Sequence, residues 1–172
     1  LCNKINYLLL KESNYKDENN LENIIIKEYL KIITNQEFIN SVNNEEFENI
    51  KNKIIDLSNF IIELTSFKLI EIKKCLNIIF QLFKEYEKEY KNNNVKYLYL
   101  EICVYIFDSV LEFPKIEDNI YNLIDDIFKK LNNSLQERKL PNYLKEKIIN
   151  IIDKKKQKLN KEDKQEKRSI NK

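Results

Sequence analysis

The stretch Val95-Lys-Tyr-Leu-Tyr-Leu-Glu-Ile-Cys-Val-Tyr-Ile-Phe-Asp-Ser-Val-Leu-Glu-Phe113 decides the fold. Val95, Leu98, Ile102 and Tyr105 recur at three- and four-residue steps, and so do Tyr99, Cys103, Ile106, Val110 and Phe113 beside them. Residues three and four apart share a helix face, so the segment reads as a helix carrying two adjacent apolar stripes. One stripe suits a helix lying on a surface, whereas two suit a helix sandwiched between neighbours.

The same period extends in both directions. Upstream, Phe47, Ile50, Ile54, Leu57, Ile61 and Leu64 form one stripe, and Leu69, Ile72, Leu76, Ile79, Phe83, Tyr86 and Tyr90 form the next. Downstream come Ile120, Leu123, Ile124, Ile127 and Leu131, then Leu140, Leu144, Ile148 and Ile151. Nearer the start the pattern is looser: Leu1 to Lys11 resembles the tail of an amphipathic helix, and Leu21 to Ile33 is densely apolar. Asn35 to Asn44, with Phe38, Ile39 and Val42, reads as a continuation or a short separate turn. Asn is the best substitute for Gly at a left-handed helix end, so Asn43, Asn92 and Asn132 are expected stops. Asn44 before Glu45-Glu46 is an expected start, and Pro114 and Pro141 suit first turns. Thr65 to Lys68 leaves a tight link, and short links imply antiparallel neighbours.

The expected fold is all-α: about seven helices in stacked antiparallel hairpins, a HEAT-like α-solenoid, with a compact bundle as the competitor. The helical domain is expected over residues 1–152. A charged, largely disordered tail follows over residues 153–172, where nine Lys/Arg face four Asp/Glu. Since the chain totals +2, its basicity resides in that tail and the body is slightly acidic. The start at Leu1-Cys2, without Met and already in helical register, reads as a fragment or processed product.

Composition excludes much chemistry. The 172 residues include no Gly and no His. No glycine loop can therefore cradle phosphates, and no imidazole can act as base or metal ligand. Cys2, Cys75 and Cys103 stand far apart with no CxxC pair, which fits reduced, buried thiols rather than a zinc site or disulfide framework. An AT-rich coding genome accounts for the abundance of Asn, Lys and Ile without selection on function. No apolar run approaches the ~20 residues that span a bilayer. The expectation is a non-catalytic binding domain, cytoplasmic, without cofactor, metal or membrane.

From Leu57 onward the order of features resembles the middle domain of eukaryotic translation initiation factor 4-gamma. Leu57-Ser-Asn-Phe-Ile-Ile-Glu-Leu-Thr-Ser-Phe-Lys-Leu69 is similar to that family's LGNxxFIGELFKLK helix. Lys74-Cys-Leu-Asn-Ile-Ile-Phe-Gln-Leu-Phe83 follows as the next helix, and Leu98 to Phe107 resembles ESLECLCRLLTTIG. Asp125 to Arg138 parallels the long helix closing in an ERK-type turn, here Glu137-Arg138-Lys139. The resemblance covers about the last two-thirds of the chain and rests on apolar spacing, with family glycines replaced at Ser58 and Ile62.

The resemblance implies a HEAT-like scaffold that docks a DEAD-box RNA helicase of the initiation-factor type, with RNA and other initiation factors as further partners. Matching docking positions are Phe67, Lys68 and Leu69, together with Arg138 and Lys139. On periodicity alone Phe67 and Leu69 read as core residues at helix ends. A weak RNA patch is placed at Lys68, Lys73 and Lys74, secondary because the body is slightly acidic. The competing reading is an exported or structural helical protein of an AT-rich genome with no RNA role.

Overall fold

The computed structural model describes residues 18–35, 44–88, 93–113 and 120–154. Among them the chain is all-helical, without a strand, as the periodicity predicts. The helices are α1 (Glu18–Ile33), α2 (Asn44–Ser66), α3 (Ile72–Tyr86), α4 (Asn93–Leu111), α5 (Tyr121–Ser134) and α6 (residues 142–154). The expected helix over Leu1 to Lys11, the Asn43 and Asn92 stops, Tyr90, Pro114 and Cys2 lie outside the described residues. So does the tail beyond Lys154.

Two compact units divide the chain, Leu1–Ile102 and Cys103–Lys172, with α4 contributing its first half to one and its second half to the other. In the first, α1 packs on α2 and α2 on α3, the neighbour-to-neighbour order of successive hairpins. Every residue of α4 from Tyr97 to Val104 is buried, whereas Lys96, Tyr105, Asp108 and Ser109 are only partly covered. Glu101 lies within that run, and its carboxylate meets the Lys51 ammonium of α2 at 3.0 Å.

The buried face of α2 runs through Ile50, Ile54, Ser58, Ile61 and Thr65, whereas Leu57 and Leu64 sit at its shoulder. Hydroxyls tolerate this seam because each donates back to its own helix, Ser58 to the Ile54 carbonyl and Thr65 to the Ile61 carbonyl, both at 2.8 Å. Ser58 has one proton and spends it there, so the Tyr29 hydroxyl of α1 donates to Ser58 Oγ at 2.7 Å. Tyr99 of α4 in turn donates to the carbonyl of Ile33, the last residue of α1, at 3.0 Å.

In the second unit Leu140, Leu144, Ile148 and Ile151 are all buried, as their spacing predicts. Phe107 of α4 meets Phe128 of α5 edge to face, ring centroids 4.9 Å apart. Two punctuation marks differ from expectation. Helix α5 runs through Asn132 to Ser134 and ends without a left-handed residue. Leu69 is no member of the α3 stripe: α3 begins at Ile72, and Leu69 stands in solvent before it.

Candidate docking corners

The link between α2 and α3 is set by backbone hydrogen bonds. Lys68 has φ 61°, the one non-glycine residue with positive φ among those described. Its N–H donates to the Thr65 carbonyl at 3.0 Å, and the Leu69 N–H donates to the Leu64 carbonyl at 2.9 Å. That pair of bonds is a Schellman ending, with Lys68 where glycine or asparagine is usual. A left-handed residue with a Cβ costs about 1 kcal/mol relative to glycine.

The turn leaves three successive side chains, Phe67, Lys68 and Leu69, in solvent. Phe67 is 73% exposed and Leu69 66% exposed, while Ile70 next to them is 1% exposed and anchors the link. The core reading of Phe67 and Leu69 is therefore corrected. Phe67 continues the last turn of α2, its N–H bonded to the Glu63 carbonyl, but lies off the Ile61–Thr65 face, and Leu69 falls beyond the left-handed step at Lys68. Single exposed apolar side chains are ordinary, and Tyr121, Tyr143 and Ile149 are exposed as well, but Phe67 and Leu69 are more exposed than these and stand two residues apart.

Lys73 lies exposed in the first turn of α3. Lys74 faces the other way, its ammonium bonded to the Glu22 carboxylate of α1. Glu22 is buried, and its second oxygen accepts the Glu71 N–H at 2.6 Å. Sequence reasoning overlooked Glu22. The signal was available: it stands seven and eleven residues before Tyr29 and Ile33, an acid in register with the buried face of α1.

The second corner joins α5 to α6. Arg138 and Lys139 are the central residues of a turn in which the Leu140 N–H donates to the Glu137 carbonyl at 3.2 Å. Both are exposed, and buried Leu140 pins the chain behind them. The Pro141 carbonyl then accepts the first bonds of α6, from Leu144 and Lys145, each at 3.1 Å. Phe67, Lys68 and Leu69 are thus contiguous at one corner of the first unit, and Arg138 and Lys139 at one corner of the second.

Cys75 is buried, and burial pushes its thiol up to about 11 despite the opposing hydrogen bond with Thr65. A groove of about 540 Å³ lies in the second unit between Tyr105 and Asp108 of α4 and Lys147 and Asn150 of α6. Its Asp108 is bonded to Lys154 at 2.7 Å, a contact that, with Glu112 alongside, raises the Lys154 pKa. Among the described residues no group of three or more Cys, Asp or Glu could hold a metal ion, and no helix is long and apolar enough to cross a membrane. No protein-family model, curated protein or solved structure matches the chain.

Proposed function

We propose that the chain is a non-catalytic, cytoplasmic scaffold domain that docks a DEAD-box RNA helicase through the α2–α3 corner, Phe67, Lys68 and Leu69. Arg138 and Lys139 form a second contact. One observation carries the proposal: Phe67 and Leu69 stand in solvent on a backbone fixed by the Schellman ending and by buried Ile70. Aromatic groups are enriched at protein interfaces, where a few residues carry most of the binding energy, so Phe67 is the anchor in this reading and Leu69 its neighbour. The resemblance of Leu57–Leu69 to the initiation factor 4-gamma middle domain supplies the partner class. Arg138 can fork two hydrogen bonds to a carboxylate of that partner.

RNA is the lesser partner in this reading. Lys68 and Lys73 are exposed, but the Lys74 charge is already met by Glu22. Two available cations at one corner neutralise few phosphates, and affinity for nucleic acid rests on that neutralisation. Other initiation factors would share the same corners.

A pull-down with a purified initiation-type helicase tests the proposal. Capture by the intact chain that falls with Phe67→Ser and with Arg138→Glu is expected, while no capture by the intact chain removes the reading. Strong, salt-sensitive RNA binding by a chain ending at Ile152 would reverse the order of partners.

A further inference from the structure

We infer that Glu22 is the positioning residue of the α2–α3 corner: carried on α1, its carboxylate supplies the N-terminal cap that α3 lacks and fixes where the chain enters that helix. Glu71 occupies the N-cap position, its carbonyl accepting from Lys74 and Cys75, but its own side chain makes no capping bond. Glu22 Oε1 takes the Glu71 N–H at 2.6 Å, and Oε2 takes the Lys74 ammonium one turn on. Both bonds run between a buried carboxylate and groups at the positive end of the α3 dipole, where an anion is favoured.

With this clamp the corner is held at three successive residues. Leu69 N–H is bonded to Leu64, Ile70 is buried, and Glu71 N–H is bonded to Glu22. Phe67 and Leu69 are thereby displayed on a main chain with little freedom left to lose, which is the condition for tight binding by few side chains. That consequence rests on the docking proposal; the clamp itself does not. A carboxylate in register with the apolar face of α1, 49 residues before the N–H that donates to it, otherwise has no reason to be buried.

The test is amide hydrogen exchange on the full chain, on Glu22→Ala and on Glu22→Gln, needing no partner. Exchange at residues 69–75 is expected to accelerate roughly tenfold or more in Glu22→Ala, with residues 98–107 of α4 much less affected. Glu22→Gln, whose amide oxygen still accepts from Glu71, is expected to restore most of the protection. Equal acceleration at both places, or none at the corner, overturns the inference. Should Glu22→Ala fail to fold, a through-hydrogen-bond scalar coupling between the Glu71 nitrogen and the Glu22 carboxyl carbon in the unaltered chain decides: its presence supports the clamp and its absence overturns it. A helicase that fails to bind a chain with an intact clamp would count against the docking proposal alone.

Discussion

Lys68 holds a left-handed backbone position that asparagine was expected to fill elsewhere, and this single residue explains why the corner escaped the apolar pattern. Periodicity assumes a constant step, and a φ of 61° ends that constancy in one residue. Replacing Lys68 with Gly removes the Cβ conflict at the cost of a looser unfolded chain. The net expectation is stabilisation by about 0.5–1 kcal/mol, measured by urea unfolding of both proteins. Loss of stability in Lys68→Gly would mean that the Lys68 side chain holds the corner. At the same scale, burial keeps Cys75 protonated to about 11, above its ordinary 9.0. Its folded pKa is the raised one, so its contribution is fully present below about pH 9 and is lost as the pH climbs towards about 11. Thiol reagents at pH 8 should leave Cys75 unmodified until the protein unfolds, which mass spectrometry after brief alkylation can check.

Helices α4 and α6 were the most legible elements, for a common reason. Leu144, Ile148 and Ile151 of α6, with Leu140 just before it, and the two stripes of α4 are apolar at helical spacing, and all but Tyr105 and Phe113 are buried. Helix α2 was legible in extent but not in detail, because Ser58 and Thr65 enter the buried face under cover of bonds to their own helix. Buried acids were legible only as a position: Glu22 stands in register with Tyr29 and Ile33, but the partners that make its burial and that of Glu101 tolerable come from distant helices. The Lys51–Glu101 pair yields a prediction. Lys51→Met leaves Glu101 buried beside an apolar neighbour and should destabilise by about 3 kcal/mol, whereas Lys51→Met with Glu101→Leu should recover most of the loss. Thermal or urea unfolding of the two variants checks the pattern, and equal losses would show the pair to be unimportant to packing.

For the molecule as a whole, the all-helical fold was readable because apolar spacing dominates a sequence with no glycine and only two prolines to interrupt it. The location of both corners was readable as well, as links between stripes. Their display was not: it depends on Schellman bonds formed without the usual Gly or Asn, and on the Glu22 clamp, whose partners lie on another helix. The proposed function draws on that display together with the family resemblance, and it makes the corner the site of the binding energy. Truncating an aromatic anchor at the centre of an interface typically costs 2 kcal/mol or more, about thirtyfold in Kd. The most direct measurement is the affinity of a purified initiation-type DEAD-box helicase for the intact chain and for the Phe67→Ser, Leu69→Ser double variant, with helicity of both verified by circular dichroism. The expected result is binding by the intact chain that weakens at least about thirtyfold in the variant at unchanged helicity. Absence of binding, or equal affinity for the two proteins, would contradict the account.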